Sequence, residues 1–200
     1  MTNINVYGEI FGQSGYSAHT RQLLNALYKL NPQIYLESSK LPNWTRYVNT
    51  QEMNMLLNQP FNNATSIMIN TPPYWKYPLS DKPKHFIGWC VWEGTNIPKY
   101  WTDIFNIENI SAIIVPSNHT LNAIQNTLKP LKTPKIHVIP HGVNSSLFKP
   151  KTLEKPKDSK FTFIANKGWA SGINDRGGIQ WLLKAFSEEF KNDNDDQLIC

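Results

Sequence analysis

Two hundred residues, 40% hydrophobic and 18% charged, suffice for one well-buried domain or for one domain and part of a second, and they exclude a disordered chain. The net charge of +5 comes from scattered Lys and Arg, with Lys- and Pro-rich stretches at 76–84, 129–135 and 149–160. No dense basic block with interleaved aromatics occurs, so nucleic acid is not an expected partner; Cys90 and Cys200 form no C-x-x-C pair, which argues against a disulfide framework or a cysteine zinc site.

The chain opens on "INVYGEI" (4–10), a strand pattern, and "SAHTRQLLNALYKL" (17–30), a helix with Leu23, Leu24, Leu27 and Leu30 at helical spacing. "QIYLES" (33–38) is a second strand after the Asn31-Pro32 break. The stretch 39–62 is irregular, with one helical turn at "QEMNMLLN". Strand patterns return at 65–70, 85–92, 111–116 and 135–140. Between the last two, residues 117–129 predict a helix capped by Ser117, with Leu121, Ile124 and Leu128 on one face.

Strands alternating with helices, several strands apolar on both faces, predict an α/β domain with a mostly parallel, Rossmann-like sheet. Ligands of such sheets bind beyond the C-terminal strand ends. The segment 149–160, with four Lys-Pro or Pro-Lys steps, predicts a linker. Beyond it the pattern restarts: a strand at 161–166, a loop, a helix at 179–190 and a strand beginning at 197. The expected organisation is therefore a domain over 1–148, a linker over 149–160 and the first βαβ portion of a second Rossmann-like domain over 161–200.

Four strand-end loops could carry chemistry. "GEIFGQSGYS" (8–17) holds Gly8, Gly12 and Gly15 between a strand and a helix, where backbone N–H groups can approach a phosphate; a plain tight turn is the alternative. In "CVWEGTNIPKYW" (90–101), Glu93 follows a hydrophobic strand and could orient a substrate hydroxyl or act as a base, or could be a solvated loop residue. Trp89, Trp92 and Trp101 offer flat faces for sugar rings, although Trp near a strand is commonly core. At Pro140-His141-Gly142-Val143 the His contacts ligand or is structural, and Gly142 could turn the chain through a left-handed conformation. Lys167 and Arg176 flank a loop entering the last helix, where two cations suit a diphosphate.

"VWEGTNIPKYW", "SAIIVPSNHTLNAI", "KIHVIPHGVNSSLF" and "RGGIQWLLKAFSEEF" occur in that order and together resemble the retaining family-4 glycosyltransferases of GT-B fold, over about Gly8 to Phe190. The resemblance implies transfer of a sugar from a nucleotide-diphosphate sugar to the hydroxyl of a glycan or other acceptor, with retention and without a metal or other cofactor. It implies that residues 1–148 are the acceptor-side domain and 161–200 the incomplete start of the nucleotide-sugar-binding domain. Carried over residue by residue, Gly12 and Gly15 would bring amides near the donor phosphates, and Lys167 and Arg176 would bind the diphosphate. Glu93 would be the catalytic-site carboxylate facing the acceptor, and Tyr16, His141 and Gly142 would line the cleft.

The loop "NKGWASGINDRGG" departs from the family's usual Gly-Arg and Lys-Gly pair, more at Lys167 than at Arg176. No two Glu residues stand at the spacing of the family's E-x(7)-E element. The expectation is a fragment inactive alone, or a chain that borrows a donor domain from a partner chain.

Two other classes compete. Glu37 follows Gly15 by 22 residues and ends the second strand, where an NAD(P)-dependent oxidoreductase places its ribose-binding acid; no Tyr-x-x-x-Lys accompanies it. A non-catalytic sugar- or partner-binding module derived from a transferase half is the third reading. Lys129, Lys132 and Lys135 raise a weaker expectation of peripheral membrane contact. The N-terminus has no leader pattern, and no run of about 18 apolar residues occurs, so a cytoplasmic location is expected.

Overall fold

The computed structural model describes residues 3–30, 33–38, 47–128, 135–150, 160–166, 177–191 and 196–199. The chain divides into two compact units, Met1–Val143 and Asn144–Cys200. Most of the expected linker, 151–159, lies outside the described residues.

In the first unit, β1 (Ile4–Gly8), β2 (Ile34–Glu37), β3 (Thr65–Ile69), β4 (His85–Trp89), β5 (Ile110–Val115) and β6 (Lys135–Val138) form one sheet of order β2-β1-β3-β4-β5-β6. Every pairing is parallel, as the two-sided apolar strands required. The helices are α1 (Gly15–Leu30), α2 (Thr50–Leu56), α3 (Lys76–Ser80), α4 (Thr102–Phe105) and α5 (Asn118–Thr127).

Alternation along the strands builds a core on each face of the sheet. Val6, Ile67, Ile69 and Trp89 point to one side, with Leu24 of α1 and Met55 of α2. Tyr7, Met68 and Phe86 point to the other, with Trp75, Phe105 and Ile124. Side chains at i and i+1 must face opposite ways, and both sides are apolar, so both must be covered. Fully burying each such side chain contributes about 1.5–3 kcal/mol.

The sequence strands at 4–10, 85–92 and 135–140 stop earlier, at Gly8, Trp89 and Val138. The apolar residues that prolonged two of them, Ile10 and Cys90, are buried in loops, and hydrophobicity alone does not separate a buried loop residue from a strand residue. The short helices α3 and α4 are additions. Pro72 and Pro73 open a tight helical turn, Pro72–Trp75, that leads into α3, with proline at its first positions where no N–H is needed.

Local capping fixes the helix starts. Ser117 Oγ accepts from the Thr120 N–H at 3.3 Å, as its sequence position predicted. Asn49 and Glu52 form a reciprocal capping box at α2. The β4–β5 register shifts between Phe86 and Ile87, and the Ser111 hydroxyl accepts the Phe86 N–H there at 3.3 Å. A side-chain oxygen thereby keeps a buried donor satisfied at the irregularity.

In the second unit, β7 (Phe161–Ile164) pairs in parallel with β8 (Asp196–Ile199), and α6 (Ile179–Glu189) lies between them in sequence. Phe163 packs on Phe186 and Phe190 at 5.6 and 5.3 Å between ring centres. Gly178, at φ 75°, precedes α6. This is a βαβ unit, as predicted.

Candidate functional site

The strand order places a topological switch at β1: the chain goes to β2 on one side and returns to β3 on the other. At such a switch the loops diverge and leave a crevice beyond the C-terminal strand ends. A cleft of about 470 Å³ lies there, lined by Tyr7, Gly8, Glu9, Tyr16, Glu37, Met68, Asn70, Tyr74 and Tyr77.

Glu37 is its polar centre. The Tyr77 hydroxyl donates to Glu37 Oε1 at 2.6 Å and the Tyr35 hydroxyl donates to Oε2 at 3.0 Å. Tyr35 and Glu37 share a face of β2 by their i, i+2 spacing. Tyr77 reaches them from α3, and Tyr7 of β1 packs edge-on to both tyrosines, at 6.4 and 6.2 Å. The hydroxyls of Tyr35 and Tyr77 are harder to ionise than usual: burial comes first for Tyr35, the bond to Glu37 first for Tyr77. Burial, then the charges of Asp81 and Glu37, push Tyr7 up to about 12. All three tyrosines therefore stay protonated near neutrality.

Asn70, at the end of β3, is held by its backbone. Its N–H donates to the Trp89 carbonyl at 3.3 Å, and its carbonyl accepts from Trp75 Nε1 at 2.9 Å. Its side-chain Oδ1 accepts the Thr71 N–H at 2.8 Å.

The Gly-rich loop forms the adjacent rim. Arg21 of α1 folds back so that its guanidinium donates to the carbonyls of Ile10 and, at 3.0 Å, Gly12. A side chain at Gly12 would place its Cβ 2.9 Å from Ser17 Oγ, whereas Gly15 has open space. Of the two expected phosphate-loop glycines, only Gly12 is demanded by close packing. Tyr16 donates to the Val91 carbonyl at 3.3 Å, tying α1 to the segment after β4. Burial, then Cys90, then the Glu93 charge raise the Tyr16 hydroxyl to about 12.

Glu93 itself is exposed. Its carbonyl contacts His119 Nε2 at 2.9 Å, and the Thr120 hydroxyl donates to the Trp92 carbonyl at 3.1 Å, so the start of α5 positions the Trp-Glu segment. The three tryptophans are not open sugar platforms: Trp89 and Trp101 are buried, and Trp92 packs on Trp101 at 4.8 Å. The apolar rings close the core beneath the loop instead.

His141, exposed beyond β6, stacks at 4.2 Å on His19 of α1, and both lie near Trp89. Burial, and then the neighbouring His141, lower His19 to about 4. Its Nδ1 and Trp89 Nε1 are buried without a hydrogen-bond partner. Gly142 is exposed, and its φ is not positive, so the left-handed turn expected there is absent.

Gly12, Glu93 and His141 thus lie in loops, and Gly15 and Tyr16 in the first turn of α1, at one end of the sheet. Lys167 and Arg176, the expected diphosphate pair, lie outside the described residues, as do Lys129 and Lys132. Reading the sequence missed Tyr35, Tyr74, Tyr77, Asn70, Arg21 and His19. The Tyr-x-Glu of β2 and the Tyr-x-x-Tyr of 74–77 were the available signals, since those spacings put each pair on one face.

A second hollow of about 370 Å³ lies between α1 and α2, around Arg21, Asn25 and Glu52. Glu52 is buried there, and desolvation raises its pKa against the Asn49 N–H bond, the Arg21 charge and the Asn25 bond, in that order. Asn49 is its capping-box partner and Arg21 and Asn25 reach it from α1, so this hollow serves the packing of α1 on α2. Among the described residues, no group of three or more His, Cys, Asp or Glu could hold a metal ion, and no helix is long and apolar enough to cross a membrane. No protein-family model matches the chain, and neither does any curated protein.

Proposed function

We propose that residues 1–143 form the acceptor side of a sugar transferase that uses a nucleotide-diphosphate sugar and retains configuration at the transferred carbon. The observation that carries this reading is the meeting of the resemblance-bearing segments on one rim. The Gly-rich loop reaches the Trp-Glu segment through Tyr16 and Val91 at 3.3 Å, and His141 of the Pro-His-Gly segment stacks on His19 of α1 at 4.2 Å. Segments about 75 and 120 residues apart in sequence gain a common purpose if one substrate lies across them.

In this reading the switch-point cleft holds the acceptor. Its Glu37 and Asn70 bind hydroxyls and Glu93 serves as the catalytic carboxylate; by the resemblance, Lys167 and Arg176, outside the described residues, are the charge-assisted donors to the leaving diphosphate.

One observation favours a second reading. Glu37 ends β2 beside the switch point, where a dinucleotide fold binds ribose hydroxyls. A nicotinamide-dependent oxidoreductase would use it so, although no Tyr-x-x-x-Lys accompanies it in the sequence.

Calorimetric titration with a panel of nucleotide-diphosphate sugars, beside a fluorescence titration with NADH, separates the two. The transferase reading expects a nucleotide sugar to bind, and Arg176→Ala in an intact enzyme to weaken it by about 1.5–3 kcal/mol. A fluorescence change with NADH, with every nucleotide sugar inert, would refute it.

A further inference from the structure

We infer that the cleft at the β1–β3 switch selects a polyhydroxylated ring carrying no negative charge, and turns away phosphorylated sugars. The inference rests on the acceptor-side reading for its place in a reaction, but its binding chemistry stands on the cleft alone.

Among the described residues, the walls carry two carboxylates, Glu9 and Glu37, and no Lys, Arg or His. Asp81 adds a third negative charge behind Tyr7 and Tyr77. Lys76 and Lys82, the lysines flanking Tyr77 in sequence, are exposed and are not among the lining residues, and Lys40, three residues after Glu37, lies outside the described residues. A phosphate entering this space would meet like charge at close range, with no cation among the described lining residues to offset it.

The hydrogen-bond polarity points the same way. The hydroxyl protons of Tyr35 and Tyr77 are committed to Glu37, so the oxygens that remain offer lone pairs. Glu37 keeps two of its roughly four acceptor positions. This cluster therefore asks its ligand for donors, which sugar hydroxyls and ammonium groups possess and an ionised phosphate lacks. The Asn70 amide supplies a donor on the opposite side of β1 from Glu37, so a ring that gives a hydroxyl proton to Glu37 can receive one from Asn70 through another hydroxyl.

Shape adds a third argument. Tyr74 and Tyr77 stand three residues apart on the helical turns after β3, 59% and 58% exposed, with ring surface at the cleft mouth. Flat aromatic faces pack against the C–H face of a sugar ring. The volume of about 470 Å³ falls in the range of small-molecule sites.

The test titrates the full chain with methyl glucoside, glucosamine and glucose 6-phosphate, observed by ligand-detected NMR at low and high salt. Methyl glucoside and glucosamine should bind, and glucose 6-phosphate should bind about tenfold more weakly at low salt, with the gap narrowing as salt screens the carboxylates. Glu37→Gln should remove most of that gap. Tyr77→Phe, a change at an exposed ring, should weaken methyl glucoside severalfold with thermal unfolding unchanged.

Equal or tighter binding of glucose 6-phosphate overturns the inference, as does the absence of binding by all three probes up to high millimolar. So does a Glu37→Gln protein that folds and keeps the full discrimination; should that variant not fold, the wild-type ratio and Tyr77→Phe decide. Failure of nucleotide-sugar binding would remove the transferase reading and leave this ratio untouched, so the two can fail separately.

Discussion

Lowering the pH should destabilise the first unit through His19, and the structure sets both the window and the size. The ring stands edge-on to Trp89 at 4.5 Å and against His141 at 4.2 Å, with Nδ1 buried. Burial disfavours the imidazolium, and His141 adds to that, so the folded pKa drops from 6.5 to about 4. Above about 6.5 the ring is neutral in both the folded and the unfolded chain and makes no difference. Below it the unfolded chain binds a proton that the folded chain cannot, so stability is lost as pH falls from about 6.5 to about 4.

The whole displacement corresponds to about 3 kcal/mol at about 1.36 kcal/mol per unit. The ring is only half-buried, and solvent screening reduces the expected loss to about 1–2 kcal/mol. Carboxylates titrate in the same window, so the measurement is a comparison. Urea unfolding of the wild type and of His19→Gln at neutral and acidic pH should show the wild type losing about 1–2 kcal/mol more than the variant. NMR of the imidazole protons should place the His19 titration well below that of a free histidine. A ring titrating near 6.5, or identical losses in the two proteins, would refute the reasoning.

Gly88→Ala should cost about 1–3 kcal/mol, because the new Cβ would lie 2.5 Å from the Trp75 ring. That ring cannot easily retreat: it packs on Phe86 and Phe105 and its Nε1 donates to Asn70. An unchanged urea midpoint would sink this account. Arg21→Ala should cost about 1.5–3 kcal/mol by freeing the Ile10 and Gly12 carbonyls, with faster amide exchange across residues 9–15; unaltered exchange there would mean the guanidinium does not hold the loop. Cys90, fully buried and with its thiol pushed up to about 12 by desolvation, should resist a thiol reagent until denaturant is added. Rapid modification of the native protein would contradict its burial.

Several features were legible because they depend on neighbours in sequence. Ser117 declared the start of α5 by its place before a helical pattern, and the capped helix begins there. The apolar pairs Val6-Tyr7 and Ile67-Met68 revealed strands with two buried faces, which only a sheet covered on both sides can hold. The Trp residues were harder. Trp89 and Trp101 have the composition of sugar platforms and of core alike, and burial assigned them to the core. Gly142 shows the same ambiguity: glycine permits a left-handed turn without requiring one.

By itself the sequence determined the parallel α/β architecture, since hydrophobic period and capping act over a few residues. Only the tertiary structure decided the cleft. Glu37 and Tyr77 lie 40 residues apart, and nothing local couples them. They meet because β2 and β3 flank β1 on opposite sides, and the segment after β3 brings Tyr77 over Tyr7 to the end of β2. His19 and His141 meet likewise, from α1 and the end of β6. Strand order is a property of how crossovers pack across the whole sheet, and that packing selects which distant side chains share a site.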